Sequence, residues 1–244
     1  MRKVLIVLTI LYTLVLSLNY ILGVAKTPQG YVFLGTVHHP NDYSYYLSQF
    51  TQGKEHWLHS IDLFTSEKTQ PTLVGFTNVL AGHMLSLVNI PPIPAYQLTL
   101  TFYTFLFFLL VIFLLEALFP KEKETQCIAL ILLGIANVVP GSGSFFANVT
   151  EPMTRFARVP HQMLGLICII LPMLIVLKWH QSHSLSVKFI QVIFTIGASI
   201  LLANINPIQW ILVVCTLMTA ATWNWVFRKR TVGHLFHVFF LFVL

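Results

Sequence analysis

Apolar residues fall in long, unalternating blocks along this chain, and prolines or short charged connections separate the blocks. Runs of about 20 apolar residues read as helices whose length matches the hydrocarbon core of a bilayer. The pattern predicts helices over 4–24, 72–90, 96–119, 126–140, 160–177, 187–203 and 207–227, with another opening near 233. Pro71, Pro91, Pro92, Pro94, Pro120, Pro140, Pro160 and Pro207 punctuate them, because proline starts a helix readily and continues one poorly. The last run ends at Phe239–Leu244, too short to span, and reads as a final helix cut within its length. Residues 25–71 break the pattern. They hold four of the eight carboxylates (Asp42, Glu55, Asp62, Glu67) and four of the ten histidines (His38, His39, His56, His59), so polar chemistry is expected to start there.

Composition agrees with the blocks. The chain is 56% apolar and 9% charged, against roughly 25% charged in soluble domains. The expected fold is an all-α integral membrane protein with about six or seven transmembrane helices. Interfacial amphipathic helices are expected in a long first external loop. One membrane domain, 1–244, is expected: a first span at 1–24, an external loop at 25–95 and the remaining bundle at 96–244, incomplete at its C-terminal end. The net charge of +6 comes from Lys and Arg flanking apolar runs, without a basic patch interleaved with aromatics, which argues against nucleic acid. Cys127, Cys168 and Cys215 lie in or beside apolar runs without metal-ligand or CxxC spacing, so neither disulfide nor structural zinc is expected. The run after Arg2-Lys3 exceeds the usual 7–15 residues of a signal-peptide core. It reads as a retained anchor, although Gly23-Val24-Ala25 would suit cleavage.

Topology turns on 72–90. If it spans, four Lys/Arg (Arg2, Lys3, Arg155, Arg158) lie inside and ten outside. If it does not, nine lie inside and five outside. The positive-inside bias favours the second arrangement. Gly75, Asn78, Gly82, Ser86 and Asn89 share one helical stripe, with Leu73, Phe76, Leu80 and Leu87 on the other side. That amphipathic pattern suits a helix lying in the outer interface; a span with a small, polar packing face is the alternative. The N-terminus is then cytoplasmic, and 26–95 and 141–159 face the outside of what is expected to be a prokaryotic plasma membrane.

Asp42 leads the candidate residues. It opens a helix predicted over 42–57, with Tyr43, Tyr46, Leu47, Phe50 and Trp57 at helical spacing and Ser48, Gln49, Gln52 and Lys54 elsewhere. A carboxylate near a membrane surface can take a proton from a hydroxyl or bind a divalent cation; a helix cap is the plainer alternative. Asp62 and Glu67 are supporting candidates or ordinary loop charges. His38 and His39, being adjacent, would need metal partners from elsewhere. Arg155, Arg158 and His161 cluster where a helix begins at Pro160; guanidinium groups beside a helix N-terminus suit a phosphate, and snorkelling to headgroups is the alternative. Glu151 would pair with one of these arginines. Asn148-Val149-Thr150 matches a glycosylation sequon. Glu116 is given no role, and His83 reads as a polar-face residue.

Asn41-Asp42-Tyr43 with Tyr45-Tyr46-Leu47, then Gln70-Pro71-Thr72, Ala81-Gly82-His83 and Ala95-Tyr96-Gln97-Leu98 resemble, in order and layout, the front of the GT-C superfamily of membrane glycosyltransferases that use polyprenyl-phosphate sugars. The resemblance covers roughly 1–120. Asn41-Asp42 stands where the family often has two acids, and Gln97 where an arginine is usual. The resemblance implies an inverting, mannosyltransferase-like transfer of a sugar from a lipid-linked phosphate donor to a glycan, lipid or protein hydroxyl. Asp42 would be the base, and Arg155, Arg158 and His161 would hold the donor phosphate. A divalent cation, Mg or Mn, is allowed but not required. A transporter or flippase-like lipid-binding protein, and a non-catalytic scaffold of the same fold, are the competing readings. Near-absence of intramembrane charge argues against ion coupling.

Overall fold

The computed structural model of the chain describes residues 2–35, 40–135, 159–178 and 185–228. Those residues form an all-α fold of eight helices: α1 (Arg2–Lys26), α2 (Pro40–Gln52), α3 (Phe76–Ser86), α4 (Pro92–Leu118), α5 (Lys123–Ile135), α6 (Pro160–Lys178), α7 (Leu185–Ile205) and α8 (Pro207–Arg228). Extended pairing among them is limited to an isolated antiparallel bridge between Ser60 and Thr72. By length and composition, α1 and α4 can cross a membrane, and Pro160–Ile175, Phe189–Ile205 and Pro207–Thr219 are shorter apolar helical stretches. The remainder of the run predicted over 126–140, and the helix expected from 233, lie outside the described residues.

Local chemistry explains the helix ends. α4 starts at Pro92, four residues before the predicted 96, with Pro94 also in its first turn. Proline is tolerated there because first-turn N–H groups have no helical acceptor anyway. α8 has Pro207 in its first position, and Asn206 caps it by accepting the Gln209 N–H at 3.1 Å, which satisfies one orphan donor. The α4–α5 turn is tied by the buried Gln126, whose side-chain amide donates to the Phe119 carbonyl at 2.6 Å.

The fold divides into two compact units, Met1–Leu109 with Ile128–Met163, and Leu110–Cys127 with Leu164–Leu244. In the first, α1 buries a stripe of hydroxyls. Thr9 and Thr13 are buried, the Thr13 hydroxyl donates to the Thr9 carbonyl, and Ser17 donates to Thr13 and lies 3.0 Å from the Thr101 hydroxyl of α4. The opposite flank of α1, including Val7, Leu11, Leu14, Leu18 and Ile21, is exposed. α4 buries Thr99 and Thr104 together with Tyr96, Phe107, Phe108, Val111, Ile112 and Leu115, and exposes Leu98 and Phe102.

The second unit does the same. On α7, Thr195 and Ser199 are buried while Phe189, Ile190, Ile193, Phe194 and Ile200 are exposed. Ser199 accepts the Trp210 indole N–H of α8 at 2.8 Å, and Cys168, Ala198 and Leu202 form the centre of packing.

Candidate functional site

α2 and α3 are the frame of the site, and glycines let them touch backbone to backbone. A Cβ at Gly82 of α3 would run into the Phe50 carbonyl oxygen and lie 2.8 Å from Phe50 Cα of α2. A Cβ at Gly53, just past α2, would lie 2.5 Å from both His83 N and Val79 O. Polar side chains fill this contact. Gln49, 2% exposed, accepts from the Asn78 amide at 2.8 Å. His83 Nδ1 lies 2.8 Å from the Gly53 carbonyl. A carbonyl can only accept, so Nδ1 carries the ring proton. The bare Nε2 is buried without a partner among the described residues, and Trp57 stacks on the ring with centroids 4.1 Å apart.

This geometry decides which faces of α2 and α3 are inward. Thr77, Asn78, Gly82 and His83 are buried against α2, while Leu73, Val74, Met84, Leu87 and Val88 are exposed. Of the two readings of the Asn78–Gly82 stripe, the small, polar packing face is the one seen. Gln49, off the aromatic stripe of α2, is also an interior residue. Both placements have one cause. Side-chain amides and small residues make hydrogen-bonded, close-packed contacts, so they pack inward when apolar groups are left outside. α3 covers only Phe76–Ser86, shorter than the predicted 72–90.

α2 ends at Gln52, not at 57, so Trp57 is off the helix and 63% exposed. The chain turns at Gly53 because of its close approach to α3. Its aromatic stripe does not form an outward-facing surface. Tyr43 and Phe50 are buried with Ala95 and Tyr96 of α4, Tyr46 and Leu47 pack at the edge, and the Tyr43 and Tyr96 rings meet edge-on at 4.9 Å. Edge-to-face pairs of this kind add about 1 kcal/mol beyond their burial. Burial pushes the Tyr43 hydroxyl above the ordinary tyrosine range, and nearby Tyr20 pushes the same way. Beside it, Gln97 donates to the Gly35 carbonyl at 2.9 Å, fastening the chain entering α2 to the first turns of α4.

The loop after α2 is held by side-chain mimicry of a strand. The Gln52 amide donates to the Ile61 carbonyl at 3.0 Å and accepts the Ile61 N–H at 2.7 Å. Ser60 and Thr72 exchange backbone hydrogen bonds at 2.9 Å, and the Ser60 hydroxyl donates to Val74 O at 2.7 Å. Residues 61–71 form an excursion from this clamp. Asp62 and Glu67 are exposed on it; Asp62 Oδ1 accepts the Phe64 N–H at 2.9 Å, a turn-making bond, and the Glu67 N–H donates to Thr65.

Asp42 is the third residue of α2, inside its first turn. Tyr46 follows one helical turn later, the spacing of residues that share a face. The Tyr46 ring meets the His161 ring with centroids 4.3 Å apart. His161 is the second residue of α6, and its buried Nδ1 has no partner among the described residues. The start of α6 therefore meets α2 through one tyrosine. Arg155, Arg158, Glu151, the 148–150 sequon, His38 and His39 lie outside the described residues. Asp62 and Glu67 belong to the clamped loop. Among the described residues no three His, Cys, Asp or Glu side chains converge as a metal site, and Cys127, Cys168 and Cys215 are not joined in disulfides.

Sequence reading missed Gln52, Gln97 and Tyr46 as the residues that fix the site. For Gln52 the position before Gly53, at the end of α2, was a weak signal, since there a side chain able to donate and accept can replace a backbone partner; Gln97, inside α4, carried none. No family model, curated protein or solved structure matches the chain.

Proposed function

We propose that this chain is an integral membrane protein that transfers a sugar, with inversion, from a lipid-linked phosphate donor to an acceptor hydroxyl at the external membrane face. Its membrane character is supported by the polarity of the packing. Hydroxyls share the interior with apolar groups, and large apolar side chains are exposed along the flanks of α1 and α7, as expected where hydrocarbon is the solvent. With 11 residues, α3 is about 16 Å long at 1.5 Å per residue, short of a core about 30 Å thick. That length favours the arrangement with nine Lys/Arg inside and an external loop at 25–95. α3 then lies against α2 in the interface.

The observation that carries the catalytic reading is the Tyr46–His161 contact. It brings the start of α6, which directly follows Arg155 and Arg158 in sequence, to the helix that bears Asp42. In the proposed reaction the Asp42 carboxylate takes the proton of the acceptor hydroxyl as its oxygen attacks the anomeric carbon. The bond from that carbon to the phosphate oxygen breaks, and the lipid phosphate leaves with the electron pair. Arg155 and Arg158 offset its charge, while His161, whose pKa burial lowers to about 4, stays neutral and offers it a hydrogen bond. A divalent cation is compatible with this scheme and is not needed for its balance.

Asp42→Asn tests the assignment in vesicles carrying the full chain and a lipid-linked sugar. Loss of a general base is expected to lower transfer by about 10²–10⁴-fold, with Asp62→Asn close to wild type. Equal transfer by Asp42→Asn and wild type would remove Asp42 from the chemistry. No transfer by the wild type with any lipid-linked sugar would favour the scaffold reading.

A further inference from the structure

A groove of about 740 Å³ lies at the Lys26 end of α1. Tyr20 and Val24 of α1, Val32 and Phe33 of the following segment, Leu47 of α2 and Ile93 of α4 are among its walls; Thr27, Gln29 and Thr51 also line it, and among the described residues no charged side chain does. Its base is stiff, because Pro91, Pro92 and Pro94 contribute to it and proline fixes its own backbone angle. One wall is a strap, 31–34, set between Gly30 (φ 89°) and Gly35 (φ 95°), conformations that glycine adopts without strain. Phe33 pins the strap. Its ring fills the space where a Cβ on Gly23 would stand and lies near Tyr20. Tyr31, Val32 and Leu34 remain exposed, at 76%, 78% and 67%.

The groove is continuous with the apolar flank of α1. Val24 lines it and is also exposed, as are Ile21 and Leu22 beside it. A large, uncharged and mostly apolar groove opening onto such a flank offers nothing to offset the charge of an ion and suits a hydrocarbon chain. We infer that this groove seats a hydrocarbon chain of a bilayer lipid, held between the 31–34 strap and the proline base. The inference rests on the membrane reading above and not on the transferase reading.

The test is photolabelling of the full chain in vesicles of phosphatidylcholine that carries a diazirine on one acyl chain, with adducts located by peptide mass spectrometry. Adducts are expected on 28–33 and 91–94 as well as on the α1 flank at Leu14 and Leu18. Leu47→Trp, which fills the groove, and Val32→Glu, which places a charge at an exposed wall position without disturbing the core, should each abolish the first set and leave the second. Adducts on the flank alone in the wild type would overturn the groove assignment and leave the membrane reading standing. Absence of both sets would overturn the two together. Groove adducts that persist in both variants would also refute it.

Discussion

Gly82→Ala tests whether α2 and α3 are locked together, because the sign of its effect depends on that contact. In a helix with free space, replacing glycine by alanine stabilises by about 1 kcal/mol. At Gly82 the new methyl would collide with the Phe50 carbonyl oxygen and sit 2.8 Å from Phe50 Cα. These are backbone atoms, so no rotamer change relieves the clash, and the helices must separate by several tenths of an ångström or more. Overpacking of this kind costs about 1–3 kcal/mol. The separation also loosens the buried Asn78–Gln49 bond, now 2.8 Å, whose loss costs about 1 kcal/mol. Set against the helix-propensity gain, the net expectation is a destabilisation of about 1–3 kcal/mol. Gly197 on α7 is the internal control, since a Cβ there meets nothing within 4 Å. Gly197→Ala should be neutral or stabilising. The assay is thermal unfolding in detergent micelles, followed by alkylation of Cys168, buried in the native fold. To separate local from global loosening, a cysteine introduced at Val79, also buried, should become reactive first in Gly82→Ala. If Gly82→Ala melts at or above the wild-type temperature, the backbone contact is not there and the frame of the site falls with it.

Gln52→Ala removes both bonds to Ile61 and should open the 61–71 excursion at a local cost of about 2 kcal/mol; limited proteolysis between 62 and 71 should quicken, and unchanged cleavage would show that the clamp does not hold the loop. The raised pKa of Tyr43 gives an alkaline prediction. The native state keeps this proton after the unfolded chain loses it near the ordinary value of 10.0, so the contribution is complete below that pH. It is lost as pH rises from 10 toward the native value. Tyr43→Phe should therefore flatten the fall in stability above pH 10, and an identical alkaline limb would exclude Tyr43 as its source.

The long apolar helices were legible because length and proline placement suffice for them. α1, α4 and the start of α8 follow directly from runs and punctuation. The polar frame was less legible, for a definite reason. Helical periodicity reports which residues share a face, as it did for Asn78 and Gly82, but it does not say which face is inward. In water the polar stripe is outward by default. Here the contact with α2 reverses that default, because a stripe of amides and glycines that touches another helix backbone to backbone becomes the packing face. The same ambiguity hid Gln49, whose neighbours on α2 gave no charge or motif to mark it as interior. Gln52 was hidden differently, because its partner is backbone and leaves no signature in the side chains of 60–62.

The site shows why chemistry residues were easier to nominate than to connect. Asp42 and His161 were each conspicuous by type and position, but only packing brings α6 to the helix that bears Asp42, and the contact is made by Tyr46, a residue read at first as one more aromatic at helical spacing. Its stripe is divided in use. Tyr43 and Phe50 turn into the core against Tyr96, while Tyr46, at the edge of that cluster, is left to meet the His161 ring. An aromatic side chain suits this place because its ring can bury on one side and present a flat face on the other. His161→Ala should therefore weaken transfer, and His161→Phe separates the two reasons why. If the imidazole serves only to hold α6 against α2, the phenyl ring restores activity. If its unpartnered Nδ1 touches the donor phosphate, His161→Phe folds with the Tyr46 contact intact and still loses donor affinity, seen as a raised KM. Full activity in His161→Ala would mean that the contact between α2 and α6 is incidental, and the composite site built on it would have to be given up.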